Sequence, residues 1–293
     1  MEYAENVFPY SEFPQEKELK GEVIELDTAL FRCPFRIRVE GDKAIVMDLH
    51  GIDYYAHLFK YPGFQYLSSF GRRGDSLLRD EAVILDEDIL RPLDFAIYND
   101  TTFIIPDYSG ENRLCWLNDD GELVKKIGAI PSINNQALRK ARPALAQAWR
   151  SFIDYNSHNG VLAMVTQLGE VLEVYNLKDS TEVIRIGENG EPKFKIFEGY
   201  GIPSGIMGFS DVQVTDNAIY AVFHGTTFKE IVKHNGHLPD GGKYIYVFSL
   251  KGEPLYKYVL DHYVYGFWVD EATKTIIATD INNDQPIVRF QCG

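Results

Sequence analysis

The sequence predicts an all-β protein assembled from repeated antiparallel units, and its composition, its turn residues and a recurring strand pattern indicate this. Its 293 residues include 18 Tyr, 18 Phe and 3 Trp together with 24 Gly and 13 Pro. Aromatic residues suit pleated, half-buried surfaces, whereas Gly and Pro suit tight turns. The composition therefore favours short strands joined by turns, and it excludes a disordered chain, a coiled coil and a collagen-like repeat.

A short apolar run that ends on a polar residue occurs five times. The runs cover residues 43–48, 102–107, 162–167, 219–224 and 275–280. Their ends are 59, 60, 57 and 56 residues apart. Another strand and a turn precede each run, and two further strands follow most of them. The repeating unit is therefore predicted to be a four-stranded antiparallel meander of about 57 residues.

Repeated four-stranded units with long connections are typical of the blades of a β-propeller. A β-sandwich with coincidental spacing is the alternative. The predicted blades cover about 34–75, 92–130, 150–190, 208–260 and 264–293. The last unit has only three strands, so the isolated strand at 21–27 is expected to complete it and to cover its open edge. No Gly/Ser-rich or Pro-rich linker divides the chain, which predicts one domain over residues 1–293.

The connections between the predicted blades differ in length and composition. Residues 72–92 and 188–208 are predicted to be long loops, and 134–149 to be helical on either side of Pro143. The enlarged loop 225–242 is interpreted as a mobile lid or a partner-binding loop. Its His234 and His237 are spaced so that both imidazoles could reach one metal ion, although no third ligand accompanies them.

A strand at Tyr66–Phe70 runs directly into the segment Gly71-Arg72-Arg73-Gly74-Asp75. Together with the repeated meander and the isolated N-terminal strand, this segment resembles the TolB-like six-bladed β-propeller family of Bacteroidota. The resemblance implies six blades, where the repeat gives five. It also implies a cell-envelope location, since family members are often lipoproteins, and it supplies no catalytic residue.

Charge and cysteine usage narrow the classes of partner. The net charge of −14 and the pI of about 4.9 disfavour nucleic-acid binding. No apolar stretch is long enough for a membrane span. The acidic N-terminal segment is not typical of a signal peptide. The expected location is the periplasm or cell envelope if an export signal was removed, and otherwise the cytoplasm. Three Cys make no disulfide framework, although Cys33 and Cys292 could approach each other in the closing blade.

Eight polar residues are predicted to lie around one mouth of the propeller channel, because they end or enter the inner strands. They are Asp48, Asp94, Asp107, Arg150, Gln167, Asp211, His224 and Asp280. Carboxylate and amide oxygens are ligands that Ca²⁺ prefers, and a channel metal can activate water. The alternative is that each Asp caps the turn after its own strand.

Two functions follow from these alternatives. The favoured one is a non-catalytic binding or scaffold propeller that contacts a protein or a small-molecule ligand on its loop face and needs no cofactor. The other is a Ca²⁺-assisted hydrolase or lactonase at the channel mouth. An enzyme should have carboxylates that converge on one point, whereas a binding module should have an exposed apolar patch on its loops.

Overall fold

The computed structural model describes residues 5–27, 31–72, 93–132 and 141–293, and within these ranges it contains five blades of antiparallel strands. The N-terminal segment contains β1 (Val7–Pro9), β2 (Glu16–Leu19) and β3 (Gly21–Ile24). The first blade contains β4 (Pro34–Glu40), β5 (Lys43–Asp48), β6 (Tyr54–Lys60) and β7 (Gln65–Arg72). The second contains β8 (Ala96–Asn99), β9 (Thr102–Pro106), β10 (Leu114–Asn118) and β11 (Leu123–Ile127).

The remaining blades follow in chain order. The third contains β12 (Ser151–Asn156), β13 (Val161–Thr166), β14 (Val171–Asn176) and β15 (Thr181–Ile186). A separate two-stranded sheet contains β16 (Phe194–Phe197) and β17 (Tyr200–Pro203). The fourth blade contains β18 (Phe209–Val214), β19 (Ala218–Phe223), β20 (Gly242–Ser249) and β21 (Pro254–Val264). The fifth contains β22 (Phe267–Asp270), β23 (Thr275–Thr279) and β24 (Ile287–Gln291). The predicted β-propeller architecture is confirmed.

The N-terminal strand β3 completes the fifth blade, as predicted. It pairs with β24 in antiparallel register, with Ile24 opposite Ile287 and Val23 opposite Val288. Without β3, the backbone groups on that side of β24 would be an open sheet edge.

Two further N-terminal strands add to other blades in a way that the sequence did not predict. Strand β1 pairs in parallel with β15, and β2 pairs in parallel with β21. Glu16 of β2 also forms a 2.7 Å ion pair with Lys257 of β21. Because β1 has three residues and β2 has four, neither is long enough to show the alternation that identifies a strand in sequence.

The described contacts divide the chain into two compact units. Unit 1 contains Met1–Gln15, Val83–Leu238 and Tyr246–Tyr256, and unit 2 contains Glu16–Ala82, Pro239–Ile245 and Lys257–Gly293. One core cluster of unit 1 gathers Trp116, Met164 and neighbouring apolar residues, and one of unit 2 gathers Phe59 and Ile277 with theirs. A single domain over the whole chain therefore stays a prediction.

Helices are few in the described ranges. Helix α1 (Arg142–Ala148) has Pro143 in its first turn, where the missing N–H of proline costs no hydrogen bond. Pro143 thus lies at the start of a helix, whereas the sequence placed helix on both sides of it; residues 133–140, like 73–92, lie outside the described ranges. Helix α2 (Phe228–Lys233) lies in the enlarged loop. Neither helix is long and apolar enough to cross a membrane. Cys33, Cys115 and Cys292 are all free thiols.

Candidate functional site

The buried carboxylate of Asp48, at the end of β5, accepts hydrogen bonds from its neighbouring loops. The backbone N–H groups of Arg32, Cys33 and His50 donate to it at 2.7, 2.8 and 3.1 Å. These contacts hold the segment that enters the first blade and the loop between β5 and β6. They are the contacts expected of a capping aspartate.

Asp107 and Asp94, both buried, are held in a similar way in the second blade. Asp107 accepts from the hydroxyl of Ser109 at 2.6 Å and from Lys126 Nζ at 3.4 Å. Asp94 accepts from the N–H of the next residue at 2.9 Å and from that of Ile153 on β12 at 3.0 Å. Asp94 therefore connects the second blade to the third.

Asp211 and Asp280 are also buried, and their described contacts are local or come from a neighbouring strand. Asp211 accepts from the N–H of Val212 at 3.0 Å. Asp280 accepts from the N–H of Asn282 at 3.0 Å and lies 3.0 Å from Nδ1 of His262. The Asp280–His262 pair was not anticipated, because His262 lies on β21 and no spacing in the sequence relates the two residues.

The structure brings the backbones of Arg150, Gln167 and His224 together at one end of their strands. Gln167 N–H donates to the carbonyl of Arg150 at 2.8 Å, and Gly208 N–H donates to that of Gln167 at 2.8 Å. His224 N–H then donates to the carbonyl of Gly208 at 2.8 Å. Nε2 of His224 is buried, and this burial lowers the pKa of the imidazole to about 4. His224 is therefore neutral at physiological pH.

No metal-binding cluster follows from these positions. Within the four described ranges, no group of three or more His, Cys, Asp and Glu side chains could hold a metal ion. His234 ends helix α2 and His237 is exposed three residues later. Asp48, Asp107 and Asp280 accept hydrogen bonds from the loops after their strands, whereas Asp94 and Asp211 accept from residues of strands.

The predicted long loop 188–208 instead contains the hairpin β16–β17, which exposes apolar side chains. Its turn has two residues, Glu198 and Gly199, with φ of 49° and 84°. Positive φ at both positions is the conformation of a type I′ hairpin turn. Phe197 and Tyr200 flank the turn as a cross-strand pair. An apolar run interrupted by Glu-Gly is the signal that could have predicted this hairpin.

The two faces of the hairpin have different surroundings. On one face, Phe194 packs against a core cluster that includes Leu145 and Trp149. The backbone of Gly201 lies against helix α1, and its N–H donates to Gln147 Oε1 at 3.2 Å. The hairpin is therefore anchored at a fixed position on unit 1.

The opposite face is exposed and consists of the cross-strand pairs Lys195–Ile202 and Phe197–Tyr200, here named the hairpin surface. The exposed fractions are 63% for Phe197, 64% for Tyr200 and 49% for Ile202. Among the described residues most large apolar side chains are buried, whereas these three are exposed next to one another. Exposed apolar side chains also occur on β7, directly before residues 73–92, which lie outside the described ranges.

The enlarged loop of the fourth blade lies beside the base of the hairpin. Phe228 N–H donates to the carbonyl of Gly205 at 3.1 Å, and Ile206 forms a β-bridge with Thr227. Thr227 and Glu230 form a reciprocal capping box at the start of α2. The loop is therefore an ordered neighbour of the hairpin.

Replacing Gly201 by Ala should loosen the hairpin from α1. A Cβ at this position would lie 2.6 Å from the carbonyl oxygen of Ala144, so one of the two segments must move. We expect a loss of about 1–3 kcal/mol in the free energy of unfolding and faster hydrogen exchange over residues 194–203. Gly63→Ala is the matched control, because a Cβ there meets no atom within 4 Å. Unchanged exchange in the hairpin of the Gly201 variant would contradict this packing.

The fold and this surface define a class of protein, a β-propeller that carries a fixed apolar hairpin. The chain belongs to the TolB-like 6-blade propeller-like family, whose model matches residues 12–77 and 75–272. The resemblance seen in the sequence is thereby confirmed. The family description names six blades, and the described ranges contain five.

Solved structures of other proteins match this chain at low identity and with low TM-scores. BamB from Moraxella catarrhalis is 10% identical, with 87% of this chain and 71% of that chain covered and a TM-score of 0.35. Glutaminyl cyclase from Myxococcus xanthus is 9% identical, with 94% and 98% covered and a TM-score of 0.44. An auxiliary nutrient binding protein from Bacteroides ovatus is 10% identical, with 87% and 58% covered and a TM-score of 0.42. No curated protein matches the sequence significantly.

Proposed function

We propose that the protein is a non-catalytic binding module that contacts another protein through the hairpin surface. The observation that supports this proposal is the exposure of Phe197, Tyr200 and Ile202 on an anchored hairpin. Covering these exposed aromatic side chains with a partner removes apolar surface from water, which lowers the free energy of the complex. An anchored hairpin also loses little conformational entropy on binding.

The predicted channel-mouth residues have structural roles in this proposal. Asp48, Asp107 and Asp280 accept hydrogen bonds from the loops that follow their strands. These carboxylates hold their loops in place. The proposed binding surface lies on a different connection, the hairpin β16–β17. The cell envelope remains the expected location because the family resemblance implies it, and cell fractionation tests this.

A photo-crosslinker at Tyr200 should trap the partner. We expect p-benzoylphenylalanine at this position to give a discrete covalent adduct in an extract of the native cells. The same group at Val124, which is 58% exposed on β11, should give none. The substitution Phe197→Ser in the Tyr200 crosslinking variant should reduce the adduct about tenfold or more, since it removes a central aromatic contact. Equal adducts from Tyr200 and Val124, or an adduct that persists with Phe197→Ser, would contradict the proposal.

The Ca²⁺-assisted hydrolase is tested separately. If the protein is such a hydrolase, its Tm should be higher in Ca²⁺ than in EDTA, and Ca²⁺ should support the hydrolysis of ester or lactone probes. Such a result, lost on Asp48→Asn or Asp280→Asn, would favour the enzyme over the binding module.

A further inference from the structure

We infer that the partner binds as an extended strand that carries acidic residues and pairs with the outer edge of β16. This inference rests on the proposed function. It is carried by two observations: an open backbone edge on β16, and a row of lysines beside Phe197.

The hydrogen-bonding pattern of the hairpin leaves one edge open. The pair that flanks a two-residue turn exchanges both backbone hydrogen bonds, and the bonds then alternate along the strands. Phe197–Tyr200 and Lys195–Ile202 are therefore the bonded pairs. The N–H and C=O groups of Ile196 point outward, away from β17.

Contacts at both ends of the hairpin agree with this assignment. Ser204 N–H donates to the carbonyl of Lys193 at 2.9 Å, which continues the alternation by one bonded pair. Gly201, opposite Ile196, directs its own N–H outward to Gln147. The outer edge of β17 is thus covered by α1, whereas the two-stranded sheet has no strand beyond β16 among the described residues.

The side chains along this edge determine which partner fits. Lys193, Lys195 and Phe197 alternate along one face of the chain, and all three are exposed. A strand added to β16 would place its own residues opposite these side chains, so acidic residues would face the lysines and an apolar residue would face the aromatic ring. Main-chain hydrogen bonds would supply affinity and the lysines would supply selectivity.

The same charges disfavour two other occupants. A second copy of this chain paired through β16 would bring lysines close to lysines, which is unfavourable. An anionic membrane would face the net charge of −14 over a wide surface, whereas a short acidic segment on β16 would mainly face the lysines beside it, because exposed charges further away are screened by salt. An acidic, extended protein segment satisfies both the edge and the charges.

The test uses two labelled ten-residue peptides with the full-length protein. One alternates Glu with Val and Thr, and the other has Lys in place of every Glu. We expect the Glu peptide to bind about tenfold more tightly by fluorescence anisotropy at low salt, because two lysines face its carboxylates. Lys195→Glu should remove this preference, whereas Lys251→Glu, on an exposed turn elsewhere in unit 1, should leave it unchanged.

A second variant tests the backbone edge directly. Ile196→Pro removes the outward N–H and keeps the bonds that join the hairpin, so the Glu peptide should bind about tenfold more weakly or not at all. Ile196→Val retains the N–H and should bind normally. Thermal unfolding and hydrogen exchange over residues 194–203 show whether the proline variant keeps its hairpin. If the proline variant loses its hairpin, the Lys195→Glu comparison alone tests the strand-addition inference.

The outcomes separate this inference from the proposed function. No peptide binding, equal binding of the Glu and Lys peptides, or no effect of Lys195→Glu overturns the strand-addition inference. If the Tyr200 adduct still depends on Phe197 in that case, the proposed function stands. Phe197-dependent binding to phosphatidylglycerol vesicles, with no peptide binding, would assign the edge to lipid and would also overturn the inference. If the Tyr200 adduct persists with Phe197→Ser, the proposed function itself is overturned.

Discussion

Replacing Arg113 by Met should lower the free energy of unfolding by about 3–5 kcal/mol, because the substitution leaves a buried carboxylate without its cation. Arg113 and its partner Glu173 are both almost fully buried in unit 1. Arg113 Nε and Nη2 donate to Glu173 at 2.6–3.1 Å in a bidentate arrangement. Burial opposes the charged guanidinium, but the adjacent carboxylate more than offsets this and raises the pKa of Arg113.

The remaining donors of this pair are also satisfied. Arg113 Nη1 donates to the carbonyl of Trp149 at 2.9 Å, and Nη2 donates to the hydroxyl of Ser151 at 2.8 Å. The hydroxyl of Tyr175 donates to Glu173 at 2.8 Å. The network connects the second blade, the third blade and the end of α1, so its loss should affect all three.

Two controls distinguish a buried charge from a lost contact. Arg142→Met removes an exposed ion pair with Glu111 and should cost about 1 kcal/mol or less. The double variant Arg113→Met with Glu173→Leu removes both charges and should recover most of the loss, as measured by urea unfolding. A double variant as unstable as the single one would show that packing around Arg113, and not the unpaired charge, determines the cost.

The blades could be predicted from sequence because each one is local. A hairpin such as β4–β5, with Gly41 and Asp42 as its turn, joins apolar strands that are adjacent in the chain. The closing strand β3 was also predictable, since an incomplete last unit requires a partner for its edge. The parallel strands β1 and β2 were not, because they pair across more than 170 residues and are too short to carry a pattern.

The proposed binding surface was harder to predict than the fold. The channel-mouth residues were chosen from their positions at strand ends, but position does not show whether a carboxylate turns back to its own loop, as Asp107 does towards Ser109. Arg113 and Glu173 lie 60 residues apart and meet only because adjacent blades pack together. The exposure of Phe197 depends on how the hairpin is anchored, which is a tertiary property.

Acid should destabilise the protein through His224, by about 3 kcal/mol in total. Burial lowers the pKa of this imidazole from 6.5 to about 4, whereas the unfolded chain keeps the ordinary value. Below pH 6.5 the unfolded state therefore binds a proton that the folded state does not. The contribution of His224 to stability is complete above pH 6.5, falls as the pH decreases, and is fully lost below about pH 4. At about 1.4 kcal/mol for each pH unit of difference, the loss amounts to roughly 3 kcal/mol.

The pH dependence, and not the stability at one pH, identifies this effect. His224→Gln should unfold at a lower urea concentration at pH 7, because the substitution disturbs a packed site. Between pH 6.5 and 4, however, its stability should fall about 3 kcal/mol less than that of the unmodified protein. His158→Gln, at an imidazole that is 80% exposed, is the control for the substitution itself. Equal slopes for the unmodified protein and His224→Gln would mean that the folded state accepts a proton on His224 near pH 6.5, and that this imidazole is accessible to solvent in the folded protein.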